Sequence, residues 1–204
     1  PPTPMRAQDQ TLMEDVPQAA TPPRIEDAPW HRFPRGSVPG NFMHERLEWL
    51  AREGFACLDD PSCEARLVQH IERAGWGHRL ADALAWLREI VDTPLPPLNA
   101  RLRDLHDVLP EMEFWFPSEH LDLQRLDALC RTHLLGGLER PVLPERVLHG
   151  MLKGFADLVF EHEGRYWVLD YKSNALGPGD ASYSQAAMTA GMAEHRYEIQ
   201  GSIY

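Results

Sequence analysis

The sequence predicts an α/β (α+β) fold in which helices precede and flank a mixed β-sheet. Three patterns indicate it. Apolar residues recur at helical spacing between about 40 and 108, alternate at strand spacing in 111–116, and form two runs around a glycine-containing turn in 151–171. Because the chain has 204 residues and is 43% hydrophobic, we expect one core with appendages.

The N-terminal segment, residues 1–35, is predicted to be a flexible tether, because it is rich in proline, polar and acidic residues and lacks periodicity. The sequence does not begin with methionine, so we expect a fragment of a longer polypeptide. No stretch approaches the roughly 18 apolar residues of a membrane span, and the N-terminus lacks the order of a secretory signal. We therefore expect a cytoplasmic chain without membrane contact.

The next segment, about 40–108, is predicted to be helical. After a breaker at Pro39-Gly40, apolar residues return at helical spacing at Phe42, Met43, Leu47, Leu50 and Ala51. Similar amphipathic patterns predict three more helices near 63–74, 79–92 and 98–107.

The last segment, about 110–204, changes period. In EMEFWF (111–116) apolar side chains alternate with Glu111, Glu113 and Trp115, which predicts a strand, and 119–135 is predicted to be helical or irregular. The runs GFADLVF and RYWVLDY flank EHEG and predict a β-hairpin. A loop is expected at SNALGPGDAS, followed by one helix over 182–204.

Charge and cysteine content limit the possible functions. A formal net charge of −11 argues against a protein that coats nucleic acid through a basic surface. If DNA is the substrate, a metal ion or basic neighbouring subunits must offset this charge. The three cysteines, Cys57, Cys63 and Cys130, form neither a C-x-x-C pair nor an even set, so we expect buried, reduced thiols.

The predicted hairpin brings charged side chains together. A two-residue turn at Glu163-Gly164 sets Asp157 opposite Asp170, and in a strand over 165–172 the side chains of Asp170 and Lys172 share one face. Opposed residues have Cβ atoms about 4.5–5.5 Å apart, so two carboxylates can grip one hard cation. Taken alone, a D-x-K string is more often an ordinary surface pair.

Together with a following helix, this pattern resembles the PD-(D/E)xK nuclease core. The segments GMLKGFADLVFEHEGRYWVLDYKSNALG and QAAMTAGMAEHRYEIQGSIY are similar to nuclease domains of the RecB family, and the similarity returns at 31–50 and at EMEFWFP. The resemblance implies a restriction-endonuclease-like core at about 110–204 within a domain spanning 36–204. It also implies that the domain is truncated at its C-terminus.

The resemblance also implies roles for individual residues. It implies one or two Mg²⁺ ions, with Ca²⁺ and Mn²⁺ as candidate substitutes, and Lys172 as the catalytic lysine. The implied metal ligands are His44, Asp157, Asp170 and the backbone carbonyl of Tyr171. Gln200 and Tyr204 match a Q-x-x-x-Y signature at the border of the site, and Glu113 matches an acidic position of the core. Judged by residue type alone, His44 is an ordinary helix histidine and Gln200 a solvent-facing side chain.

The implied function is that of a Mg²⁺-dependent DNA exo/endonuclease of the exodeoxyribonuclease V type. The resemblance implies that such a domain is part of a RecBCD-type helicase-nuclease, which acts in double-strand-break repair and recombination. The implied partners are DNA, RecC-like and RecD-like subunits, and a RecA-type recombinase as a further candidate. One alternative is a non-catalytic scaffold of the same fold that docks the recombinase. Another is an acidic α/β adaptor without Mg²⁺ affinity. No G-x-x-x-x-G-K-[ST] motif is present, so ATP binding is not expected.

Overall fold

A computed structural model describes residues 27–204, and the part of the predicted tether formed by residues 1–26 lies outside the described residues. The described helices are α1 (Pro29–Arg32), α2 (Ser37–Glu53), α3 (Pro61–Arg73), α4 (Leu80–Asp92), α5 (Leu123–His133), α6 (Gln185–Glu194) and α7 (Tyr197–Ile203). The strands are β1 (Val108–Asp122), β2 (Val147–His162) and β3 (Arg165–Leu169).

Helices α2, α3 and α4 confirm three of the four predicted helices. Helix α2 begins at Ser37 and includes Pro39 in its first turn, where a missing N–H costs no hydrogen bond, so the predicted breaker is wrong. The side chain of Asp60 caps α3 by accepting a hydrogen bond from the N–H of Ser62. The predicted helix at 98–107 is also wrong, because only a short 3₁₀ turn forms there, at Leu102–Asp104.

The main core lies where these helices meet the sheet. Leu158 and Phe160 of β2 are buried among apolar residues of α2, α3 and α4. Phe33 joins the same core, and its ring centroid lies 5.8 Å from that of Phe42, 5.1 Å from Trp76 and 5.6 Å from Trp86. The predicted tether therefore ends too late, because ordered and buried structure begins before residue 35.

The strands form one sheet in the order β1-β2-β3, which confirms the α/β class. All strand pairs of the described part are antiparallel, so the prediction of a mixed sheet is wrong within that part. The strand predicted at 111–116 is confirmed within the longer β1. It pairs with β2 over nearly its whole length, and the register shifts between Ser118 and Leu121.

The predicted hairpin is confirmed with its two-residue turn. Glu163 has φ 52° and Gly164 has φ 75°, the positive pair that a type I′ turn requires. The register runs from His162 opposite Arg165 to Leu158 opposite Leu169. However, β3 ends at Leu169 rather than at 172, and two residues later the N–H of Tyr171 bonds to the side chain of Asp157 instead of to a backbone carbonyl of β2.

The single helix predicted over 182–204 is wrong. A 3₁₀ turn at Asp180–Tyr183 precedes α6, and Arg196, with φ 58°, separates α6 from α7. This break is held by a buried network of charges. Arg196 contacts Asp127 at 2.6 Å and Glu198 at 2.8 Å, and Arg140 contacts Glu198 at 3.1 Å. The network therefore fixes the start of α7 and the direction in which this helix runs toward the sheet.

Two further expectations concern the cysteines and the membrane. Cys57 and Cys63 form a disulfide, so the prediction of reduced thiols is wrong for this pair, whereas Cys130 is free and buried as expected. The 3₁₀ helix Phe55–Asp59 and the start of α3 bring the Cα atoms of the pair to 5.8 Å, a spacing that permits the bond. Between residues 27 and 204, every helix is too short or too polar to cross a membrane.

Candidate active site

Asp157 and Asp170 lie where the hairpin ladder ends. The register of β2 and β3, continued by one position, places them opposite each other, as the sequence predicted. The Oδ2 atom of Asp157 accepts a hydrogen bond of 2.7 Å from the N–H of Tyr171. The carboxylate of Asp157 thus replaces the backbone carbonyl that would accept this hydrogen bond in a continued β-sheet. It also faces the helix that packs beside the hairpin.

That helix is α2, which brings His44 to the sheet. The Nδ1 atom of His44 lies 3.5 Å from Oδ2 of Asp157, and its ring meets the ring of Tyr171 edge-on with centroids 5.8 Å apart. The contact with Asp157 raises the pKa of His44 above its ordinary value, against the opposing effect of burial. Burial alone would raise the pKa of Asp157, but the hydrogen bonds from His44 and Tyr171 outweigh it and lower this pKa.

Asp170 is held by different partners. Its Oδ1 atom accepts a hydrogen bond of 2.7 Å from Nε2 of Gln200 and lies 3.0 Å from the hydroxyl of Tyr204. The ammonium of Lys172 forms an ion pair with Oδ2 of Asp170, an oxygen that accepts no conventional hydrogen bond. The carboxylate therefore has one oxygen fixed by α7 and one beside a cation.

Lys172 is oriented by two groups of α7. Its Nζ donates a hydrogen bond of 2.8 Å to Oε1 of Gln200 and lies 4.4 Å from the ring centroid of Tyr197. Gln200 bridges Lys172 and Asp170, because its carbonyl oxygen accepts from one and its amide nitrogen donates to the other. The buried network around Glu198 supports this geometry because it fixes the start of α7.

The predicted pair Gln200 and Tyr204 does lie at the border of the site. The two side chains also hydrogen-bond to each other, as residues one helical turn apart can. The hydroxyl of Tyr204 lies 3.0 Å from Oδ1 of Asp170 and 3.0 Å from the carbonyl oxygen of Phe155, so its single proton serves one acceptor at a time. Burial raises the pKa of Tyr204 to about 12.

The acidic residue that β1 brings nearest to Asp157 is Glu111 rather than Glu113. Pro110 and Met112 pair with Leu158 and Ala156, so Glu111 stands opposite Asp157. Burial, and next the charge of Asp157, raise the pKa of Glu111. The predicted candidate Glu113 pairs two positions further along, with Phe155, and its side chain bonds to Trp115 and forms a 3.2 Å ion pair with Lys153.

Two residues of this region were not predicted from the sequence. One is Glu111, which lies on the same strand as Glu113 but stands opposite Asp157. The other is Tyr197, whose ring contacts Lys172. The available signal for Glu111 was its place in the same alternating run. No comparable signal marked Tyr197. The structure brings His44, Asp157, Asp170, Tyr171 and Lys172 into one region, together with Gln200 and Tyr204.

The donor set suits a hard divalent cation, since it offers two carboxylates, an imidazole and a neighbouring backbone carbonyl. Oδ2 of Asp170, which has only an ammonium beside it, is an oxygen that a cation could take over. Among residues 27–204, no three His, Cys, Asp or Glu side chains already stand at metal-binding spacing.

The chain matches a known family and several known proteins. The family model of the PD-(D/E)XK nuclease superfamily matches residues 23–198. The RecB subunit of the RecBCD enzyme from Escherichia coli (strain K12) is 38% identical over 204 residues, which cover 97% of this chain and 17% of that protein.

Two further RecB subunits show similar coverage. The one from Haemophilus influenzae is 37% identical over 177 residues, covering 84% of this chain and 14% of that protein. The one from Mycolicibacterium smegmatis is 30% identical over 226 residues, covering 94% of this chain and 20% of that protein. The chain spans at most one fifth of the length of these relatives. It belongs to the PD-(D/E)XK nuclease superfamily and is similar to part of these RecB subunits.

Proposed function

We propose that this chain is a Mg²⁺-dependent DNA nuclease domain that hydrolyses phosphodiester bonds. The observation that carries the proposal is the meeting of Asp157, Asp170 and Lys172 at the end of one hairpin, with His44 beside them. Superfamily membership supports phosphodiester chemistry, and the donor set supports a hard cation.

His44, Asp157, Asp170 and the carbonyl of Tyr171 would hold one or two ions, with Ca²⁺ or Mn²⁺ as substitutes. A bound ion would supply Lewis acidity and lower the pKa of water. The acidic pair needs such a charge, because two carboxylates at one site repel each other. In the described structure Lys172 and His44 supply part of the compensation.

Lys172 would be the group that acts on the reacting phosphate. Gln200 and Tyr197 restrict its position, so the ammonium loses less freedom when a substrate arrives. From there the ammonium can orient the attacking water or stabilise charge that develops on the phosphate, whereas only the neutral amine of Lys172 could deprotonate that water. Gln200 and Tyr204 contact Oδ1 of Asp170, whereas Oδ2 contacts the ammonium of Lys172, which a bound ion would replace there.

The biological setting follows from the relatives, which are named as RecB subunits of RecBCD enzymes. We infer that the domain acts as an exo/endonuclease of the exodeoxyribonuclease V type in cytoplasmic double-strand-break repair and recombination. RecC-like and RecD-like subunits, and a RecA-type recombinase, are its inferred partners. Basic partner surfaces would help to hold DNA, because the chain itself carries a net charge of −11.

The test incubates the full chain with linear single-stranded or double-stranded DNA and Mg²⁺, without ATP. Lys172→Ala removes the proposed catalytic ammonium. Lys153→Ala is the matched control, since the sequence contains only these two lysines and Lys153 pairs with Glu113 instead. We expect Lys172→Ala to slow cleavage by about 100-fold or more, and Lys153→Ala to leave it nearly unchanged.

Circular dichroism must first show that each variant is folded. Degradation that persists in EDTA contradicts metal dependence, and degradation that persists in Lys172→Ala contradicts the assigned lysine. A folded wild-type chain that degrades neither DNA supports the scaffold alternative if it still binds Mg²⁺. If it binds no Mg²⁺, the adaptor alternative is favoured.

A further inference from the structure

A cavity of about 300 Å³ opens beside the candidate active site. Its lining residues fall into two groups. The first group, His44, Tyr171 and Lys172, belongs to the site already described. The second group, Trp30, Arg35 and Tyr183, comes from α1, from the segment between α1 and α2, and from the 3₁₀ turn before α6, and the proposed reaction assigns it no role.

Arg35 is the cation of this second group. Its Nη1 donates to the hydroxyl of Tyr183 at 3.2 Å, and its Nη2 lies 3.0 Å from Nδ1 of His31. A guanidinium has five N–H donors, so these two contacts orient it and leave three for a ligand. The side chain is exposed and can therefore reach a ligand in the open cavity.

A comparison with Arg32, on the same short segment, shows what is unusual about Arg35. Arg32 forms ion pairs with two carboxylates, those of Asp27 and Asp82. Arg35 forms no ion pair with any carboxylate in the described range 27–204. An oriented guanidinium without a carboxylate partner, in a chain of net charge −11, is suited to bind an anion from outside the chain.

The other members of this group favour a nucleotide over a small inorganic anion. Trp30 and Tyr183 offer aromatic rings in the same cavity as the guanidinium, and bases of single strands stack on such rings. The nearby acidic group, Asp180, is engaged by contacts of its Oδ1 with Nε1 of Trp30 at 2.8 Å and Nε2 of His31 at 2.7 Å. Its repulsion of a phosphate is reduced accordingly.

We propose that Arg35, Trp30 and Tyr183 form a subsite for the nucleotide adjacent to the scissile phosphate of a single DNA strand. Arg35 binds the phosphate of that nucleotide, and an aromatic ring stacks on its base. The subsite rests on the proposed nuclease function for its biological meaning, but strand binding can be measured without cleavage. Arg35 and Lys172 line the same cavity, so one strand bound there would contact both.

The test measures binding of a fluorescein-labelled oligothymidylate to the full chain by fluorescence anisotropy. Ca²⁺ replaces Mg²⁺, and the salt concentration is varied. Arg35→Ala should weaken binding about tenfold, as loss of a charge-assisted phosphate contact does. It should also reduce the magnitude of the slope of log K against log salt by about 0.7. The reason is that one fewer phosphate of the single strand is neutralised, so fewer counterions are released on binding.

Two further variants separate this contact from general effects. Arg73→Ala removes an exposed positive charge at the end of α3, away from the cavity, and should change neither affinity nor slope. Arg35→Lys keeps the charge but not the planar fork, so it should retain the salt slope and lose part of the affinity. If Arg35 had only a structural role, the salt slope would not fall in Arg35→Ala while staying unchanged in Arg35→Lys.

The outcomes distinguish the subsite from the nuclease function. If the wild type cleaves DNA and Arg35→Ala binds the oligonucleotide with unchanged affinity and slope, the subsite is overturned and the function stands. If binding depends on Arg35 but the wild type never cleaves, the subsite stands and the nuclease function fails. If the wild type does not bind the oligonucleotide, the subsite is overturned as well.

Discussion

Phe33→Ala tests whether the folded domain begins before residue 35. Phe33 is only 1% exposed and packs against Phe42, Trp76 and Trp86. Truncation of a buried phenylalanine costs about 3–5 kcal/mol, and each aromatic pair adds about 0.5–1.5 kcal/mol beyond burial. With three ring neighbours, we expect a loss of unfolding free energy near 4–5 kcal/mol, a large part of the roughly 5–15 kcal/mol of a typical domain.

The assay is urea denaturation followed by far-ultraviolet circular dichroism, with a thermal scan beside it. At about 2–4 °C per kcal/mol for a chain of this size, the melting temperature should fall by about 8–20 °C. Val38→Ala, at a residue that is 70% exposed, is the matched control and should change stability by less than about 0.5 kcal/mol. Equal stability of the two variants would show that the segment around Phe33 is the flexible tether that composition suggests.

Two other predictions concern the charge network and the sheet. The pKa of Glu198 is lowered because hydrogen bonds from Arg196 and Arg140 outweigh its burial, so its stabilising contribution is present above its unfolded value of about 4.5 and is lost as pH falls through the folded pKa. The difference in unfolding free energy between wild type and Glu198→Gln should therefore shrink below pH 4.5 in urea titrations, and a constant difference would contradict the ion pairing. Gly154→Ala would place a Cβ 2.2 Å from Cζ of Phe114, so it should cost about 1–3 kcal/mol in the same titrations, whereas Gly201→Ala, with open space around it, provides the control. Equal losses for the two glycine variants would refute the close approach of the Phe114 ring.

The elements predicted correctly are those whose determinants are local. Helices α3 and α4 follow from apolar spacing within about 13 residues, and the hairpin follows from two apolar runs around Glu163-Gly164. The placement of Asp157 opposite Asp170 needed only the length of that turn. The central acidic pair was therefore accessible from sequence.

The elements predicted wrongly depend on distant contacts. The break between α6 and α7 is held by Asp127, which lies 69 positions before Arg196, and no periodicity within 182–204 reveals it. The choice between Glu111 and Glu113 depends on the register of β1 against β2, which the alternating pattern of β1 alone cannot supply. The disulfide similarly depends on how the 3₁₀ helix Phe55–Asp59 packs on α3.

The hydrogen bond from the Tyr171 N–H to Asp157 affects how an inactive form of this domain should be made. Alanine at position 157 would delete a charge and also strand a backbone donor, at a cost of about 1–3 kcal/mol where water cannot reach it. With that variant, loss of activity could come either from the missing carboxylate or from a destabilised hairpin, and the two causes could not be separated. Asparagine keeps an acceptor oxygen in the same place, so Asp157→Asn is the cleaner knockout for genetics and for trapping bound DNA.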